Sequence, residues 1–139
     1  MERPTPTSLP ETEAFWQGCR DGVLLLQSCR DCGHLQYYPR AVCTGCLSSN
    51  LDWRQASGRG RIHTFTTVHR ALSPAFEDDL PYVVAVIELE EGPRMVSRLR
   101  NCDTTRVSID LPVEVAFERV NAECVLPVFR PAAGTPPHP

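Results

Sequence analysis

Two Cys-x-x-Cys pairs, Cys29-Arg30-Asp31-Cys32 and Cys43-Thr44-Gly45-Cys46, stand ten residues apart in the first third of the chain. Each pair suits a tight knuckle, and two knuckles at this separation can bring four thiolates round one tetrahedral ion. Gly33, directly after the first pair, supplies the backbone freedom such a turn needs. Zinc favours tetrahedral sulfur and needs no redox partner, so the expectation is one structural Zn2+ on Cys29, Cys32, Cys43 and Cys46. Iron takes the same ligand set, and the spacing does not separate the two. The competing arrangement is a pair of disulfides. Four protein ligands leave no open position for water, which makes the site structural rather than catalytic.

The rest of the chain is bounded by that ribbon. With 139 residues there is room for one domain or two small modules with a modest core. A ribbon buries little apolar surface, so its folding free energy comes largely from the metal, roughly 10–16 kcal/mol in isolated zinc peptides. No apolar run is long enough to span a bilayer and no secretory signal opens the chain. Seven cysteines, an odd number, then fit a reducing, cytoplasmic setting better than a disulfide framework. Cys19, Cys102 and Cys124 remain as spare thiols, read as small buried hydrophobes. The net charge of −3 and the acidic balance of 17 Asp and Glu against 14 basic residues, all arginine, make a poor footprint for nucleic acid. Each cation is nonetheless a planar fork suited to phosphate or carboxylate.

Along the chain, residues 1–7 read as disordered. Ser8-Leu9-Pro10-Glu11 matches a capping box ahead of a short helix through Phe15, Trp16 and Cys19, with Gly22 ending it. Phe15 and Trp16 must pack on something, either the chain's own body or a partner. The runs Val23–Gln27 and Leu35–Tyr38 read as the hairpin strands of the ribbon, the second stopped by Pro39, and His34 as a solvent-facing turn residue rather than a fifth ligand. Leu47 to Trp53 reads as a connector, and Ser57-Gly58-Arg59-Gly60 as a turn. Strands follow over Arg61–His69, Tyr82–Leu89 (apolar enough to be buried on both faces), Arg94–Leu99, Val113–Phe117 and Val125–Phe129. Pro127 marks the last as an edge. The predicted fold is mainly β: a short N-terminal helix and tail over residues 1–22, a zinc ribbon over 23–54, and a five-stranded Greek-key barrel of the OB type over 55–131. A polar, proline-rich tail covers 132–139.

Several stretches together resemble the acyl-CoA-associated zinc-ribbon/OB-fold family. They are Phe15-Trp16, Leu25 through Gly33, Tyr38-Pro39-Arg40, Trp53, Ser57-Gly58-Arg59-Gly60, Pro81 through Ala85, Glu91-Gly92-Pro93 and Pro127-Val128-Phe129-Arg130-Pro131. The resemblance implies a rubredoxin-like zinc ribbon followed by an OB barrel. It also implies a small accessory subunit of thiolase-fold enzymes, sometimes of hot-dog-fold hydratases, in a hetero-oligomer. Relatives of this kind serve retro-aldol cleavage, acetoacetyl-CoA thiolase assemblies and C-acyl transfer. The chemistry there belongs to the partner, and the accessory chain supports assembly and the acyl-CoA or acyl-transfer channel.

The residues offer no catalyst of their own to set against that implication. Cys102 has only Asn101 and Asp103 beside it, and the sequence carries no nucleophile elbow, phosphate loop or His-Glu-x-x-His. Glu77-Asp78-Asp79 reads as a solvated tip. Arg59, Arg61 and Arg70 are the candidates for pairing with acyl-CoA phosphates. The long loop from Ala71 to Leu80, with Leu72 and Phe76, is the candidate for an interface or lid, beside Phe15 and Trp16. Two other functions stay open on the residues: a single-stranded nucleic-acid binder, which the acidic chain disfavours, and a rubredoxin-like electron carrier.

Overall fold

The computed structural model describes residues 4–132. Residues 1–3 and 133–139, within the two segments read as disordered, lie outside the described residues. The first regular element is helix α1, Glu13–Arg20. Its entry is not the expected capping box. Thr12 holds the N-cap position and its hydroxyl accepts from Leu9 N–H at 2.9 Å, while Ser8 donates to the Glu13 carboxylate. Pro10 lacks the N–H a helix turn would use, so the chain turns once at Leu9–Thr12 before winding. The exit follows the expectation. Gly22 is left-handed at φ +79°, Val23 N–H returns to Gly18 O at 2.8 Å and Gly22 N–H to Cys19 O at 3.2 Å, a Schellman closure.

A small antiparallel sheet carries the two knuckles. Strand β1, Leu25–Cys29, lies between β2, Leu35–Gln36, and β3, Leu51–Gln55. The second half of the segment read as a connector, from Leu51 on, is therefore a strand, paired with β1 from Leu25↔Gln55 to Cys29↔Leu51. Its composition hides it: Asp52, Arg54 and Gln55 are exposed and only Leu51 and Trp53 are partly covered. Pairing, not burial, makes β3.

The remaining strands are β4, Arg59–Val68; β5, Tyr82–Leu89; β6, Arg94–Leu99; β7, Pro112–Arg119; and β8, Val125–Pro131. They close into a five-stranded barrel in the order β4-β5-β6-β8-β7, with β7 returning to β4 through Gly60↔Val113. Two corrections follow. In β5 only Val83, Ala85, Ile87 and Leu89 are buried, while Val84 and Val86 on the outward face are half-covered, so the apolar run is not buried on both sides. Strand β8 is not an edge, because the barrel has none. Its seam with β6 is short, a single parallel pair Leu99↔Phe129, and Pro127 sits where that ladder has already ended. Further bonds close the seam: Ser97 Oγ donates to Pro127 O at 2.9 Å and Arg100 N–H to Phe129 O at 2.7 Å, while the Arg100 guanidinium grips Glu118 on β7 with two bonds of 2.8 and 2.7 Å.

One continuous core joins these parts. Phe15, Trp16, Cys19, Leu24 and Leu26 from the helix and ribbon cluster with Ile62, Ile87, Met95, Val113 and Phe129 from the barrel. Phe15 is fully buried, edge-on to Trp16 at 4.9 Å and beside Tyr37 at 5.7 Å. Glu91 on the β5–β6 turn accepts from Ser57 N–H at 2.7 Å, which fixes the link between ribbon and barrel.

Candidate metal centre

Cys29 ends β1, and the chain turns back through Gly33 at φ +78° to enter β2. The second knuckle is built in the same way. Cys43 N–H donates to Ser48 O at 2.8 Å, Leu47 N–H donates to Cys43 O at 2.9 Å, and Leu47 takes the left-handed position at φ +65°. For a leucine that conformation costs roughly 1–2 kcal/mol.

The four sulfurs all lie within 4.8 Å of one another, with Cys29–Cys46 and Cys32–Cys43 at 3.6 Å. A tetrahedral ion with Zn–S bonds of about 2.3 Å sets its sulfurs about 3.8 Å apart. A disulfide needs about 2.05 Å, and all four cysteines are free. The donor set thus fits a tetrahedral thiolate ion and not the disulfide alternative. Proton affinities agree. Backbone N–H groups of Cys32 and Asp31 help bring the Cys29 thiol down to about 7. Cys46 receives a backbone bond from Ser48 but is pushed up to about 12 by the sulfurs of Cys29 and Cys32. One thiolate raises the cost of the next, and a dication at their centre removes that conflict.

Two residues that sequence reasoning passed over hold the second knuckle in place. Gln27 and Gln36 are both buried. Gln36 Nε2 donates to Gln27 Oε1 at 2.7 Å and to Val42 O at 3.2 Å, and Gln36 Oε1 accepts from Thr44 N–H at 2.9 Å. Gln27 Oε1 also accepts from Arg40 N–H at 2.8 Å, and its Nε2 donates to Arg40 O at 2.9 Å. The available signal was a glutamine in each ribbon strand, where an apolar residue would suffice for burial alone. His34 contacts Thr44 Oγ1 at 3.1 Å, as an exposed bridge between the knuckles and not a ligand.

The other candidates are scattered. Arg59 and Arg61 sit together on an open cleft of about 510 Å³ with Gly60, Glu88, Leu89 and Glu90. Each already faces carboxylates: Arg59 with Glu90 at 3.5 Å, Arg61 with Glu88 at 3.4 Å and Asp110 at 3.7 Å. The cleft is therefore balanced in charge. Arg70 lies past the far end of β4, about 30–36 Å of extended chain beyond Arg61 and Arg59, so the three arginines do not converge. Leu72 is fully exposed at the start of the long loop. That loop is ordered by a 3-10 turn, Pro74–Asp79, and by Arg98, which bonds Asp79 at 3.1 Å and lies 4.1 Å over the Tyr82 ring. Phe76 is half-covered there. Phe15 and Trp16 are consumed by the chain's own core.

Comparison with known proteins agrees with this architecture. Residues 16–52 match the model of the ChsH2 rubredoxin-like zinc ribbon domain, and residues 53–118 that of the ChsH2 C-terminal OB-fold domain. The chain is 36% identical to a probable enoyl-CoA hydratase alpha subunit of Thermomonospora curvata, covering 94% of this chain and 40% of that relative's length. It is also 36% identical to a DUF35 domain-containing scaffold protein of Methanothermobacter thermautotrophicus, over 83% of this chain and 87% of the relative. A more distant relative, 26% identical over 67% of this chain and 62% of its own length, is the benzoylsuccinyl-CoA thiolase subunit BbsA of Geobacter metallireducens. Among solved structures, a chain of the Ltp2-ChsH2(DUF35) aldolase superposes with a TM-score of 0.82 at 32% identity, covering 91% of this chain and 98% of that one.

Proposed function

The chain belongs to the ChsH2 (DUF35) zinc-ribbon and OB-fold family, and from that premise we propose that it is a non-catalytic, zinc-stabilised scaffold subunit of a thiolase-fold acyl-CoA enzyme. The observation that carries the reading is the near full-length likeness to the ChsH2-type chain of an aldolase complex. Ribbon, barrel and linking helix are shared as one unit, as a scaffold would require.

The chain's own thiols support chemistry in a partner. Burial pushes Cys19 up to about 12 and raises Cys102 and Cys124 above the ordinary thiol value, which disfavours the nucleophilic thiolate. A single structural Zn2+ on Cys29, Cys32, Cys43 and Cys46 would hold the ribbon in shape. Arg59 and Arg61 could receive an acyl-CoA phosphate only by releasing their carboxylates, so the scaffold role rests on protein contact first. Among the described residues no helix is long and apolar enough to cross a membrane, and four thiolate ligands with three unpaired thiols, Cys19, Cys102 and Cys124, suit a reducing cytoplasm.

Reconstitution tests the reading. The purified chain should show no acyl-CoA cleavage or transfer alone, while its thiolase-fold partner should lose most activity without it and regain it on addition. Turnover by the isolated chain, or a partner indifferent to it, would remove the proposal.

A further inference from the structure

The two knuckles have the same hydrogen bonds and differ in the residue at one strained position. In the first, Gly33 N–H donates to Cys29 O and Cys29 N–H to His34 O, both at 2.9 Å. In the second, Leu47 and Ser48 fill the places of Gly33 and His34. Glycine adopts the left-handed conformation freely and leucine does not. Asn101 and Asp110, the other non-glycine residues at positive φ among those described, are types that tolerate it. Leu47 recovers little burial from its own chain, because the residue is 75% exposed. A bulky apolar group held against backbone preference and left in water points to a contact outside the chain.

Its surroundings say what kind of contact. Residues 41–51 contain no charged side chain, Val42 is 38% exposed on the other flank of Cys43, and Cys46 is exposed beside Leu47. The first knuckle carries charged side chains of its own: exposed Arg30 pairs with Asp52 at 3.1 Å, and the Asp31 carboxylate is taken up by Ser48 Oγ and Asn50 Nδ2 behind Leu47. An uncharged tip is readily desolvated, and the centres of protein interfaces are depleted of charge. The exposed Cys46 sulfur already accepts from the Ser48 N–H and, as a metal-bound thiolate open to solvent, can take a second N–H donor.

We propose that the second knuckle, through Leu47 and Val42, seats in an uncharged apolar pocket of the thiolase-fold subunit, with an N–H group of that pocket facing Cys46. This rests on the scaffold reading above.

The test uses the full chain and the thiolase-fold subunit identified by mass spectrometry with the tagged wild type. Leu47→Gly and Leu47→Asn both suit the left-handed backbone. Both should keep one zinc per chain and melt no lower than wild type, while binding the partner about tenfold more weakly or worse. Arg30→Ala on the first knuckle should bind like wild type. Unchanged affinity in both Leu47 variants overturns the docking surface and leaves the scaffold reading standing. Loss of zinc or melting temperature in Leu47→Gly also overturns it, by placing the residue's role inside the ribbon. A wild-type dimer abolished by Leu47→Gly would make a second copy the occupant, against the proposal. A wild type without affinity for any thiolase-fold subunit removes both readings.

Discussion

The carboxamide of Gln36 touches Gln27, Val42 and Thr44 at once, so one buried side chain ties the second knuckle to the first two ribbon strands. Replacing it by alanine removes its bonds to Gln27, Val42 O and Thr44 N–H, each worth about 0.5–1.5 kcal/mol. Gln36→Ala should lower zinc affinity about 10–100-fold, the usual effect of losing a group that orients ligands, as read by competition with a chromophoric chelator. Cys43→Ser should release the metal outright. Glycine 60 sets a different constraint. A Cβ there would stand 2.6 Å from the backbone oxygen of Glu88, which the β4–β5 ladder holds fixed. Gly60→Ala should cost at least about 1–3 kcal/mol in chemical denaturation, with zinc content unchanged. Gly58 is tighter in backbone than in space, since at φ +83° the obstacle is the tip of Val115.

Ribbon and barrel differ in what stabilises them. The three-stranded ribbon sheet has little apolar surface of its own and depends on the ion, whereas the barrel closes on itself. Excess chelator should therefore collapse the amide resonances of Leu25–Gln55 while those of Arg59–Pro131 keep strand-like dispersion. A single loss of all resonances would contradict this. Acid should act in the same order. Thiolate ligands must stay deprotonated, so zinc leaves as pH falls. Asp31, held low first by Ser48, and Asp52, held low first by the Trp53 backbone N–H and then by Arg30, also stabilise the ribbon. Their folded values lie below the unfolded ones. Their contribution is thus complete above the ordinary carboxylate range, near 4, and vanishes as pH drops through the folded values. Helix α1 joins the two parts, and Phe15→Ala should cost about 3–5 kcal/mol with a fall in the thermal midpoint of the whole chain. A change confined to partner binding would show that the ring is not core.

For the molecule as a whole, the parts legible in the sequence are those written in covalent chemistry or strong periodicity. The Cys29–Cys46 spacing foretold the sulfur cluster, and the apolar and alternating runs foretold five barrel strands in order. Strand β3 was not legible, because Asp52, Arg54 and Gln55 carry no hydrophobic pattern and acquire strand geometry only by pairing with β1. Pro127 misled for a related reason: closure of the barrel removes edges, but leaves a seam with one ladder pair where a missing N–H is harmless. Arg59, Arg61 and Arg70 looked alike along the chain, yet β4 separates the third from the first two, and carboxylates from β5 and its turn occupy those. Leu47 did carry a signal, since it stands directly after the second pair where Gly33 follows the first, but only the fold shows that the leucine is held left-handed as well. The central claim concerns a partner, and native mass spectrometry of the tagged chain purified from its own host addresses it most directly. The expected result is a stoichiometric hetero-oligomer of this chain, one zinc per copy, with a thiolase-fold subunit. Recovery of the zinc-loaded chain alone, with no such subunit at any salt concentration, would contradict it.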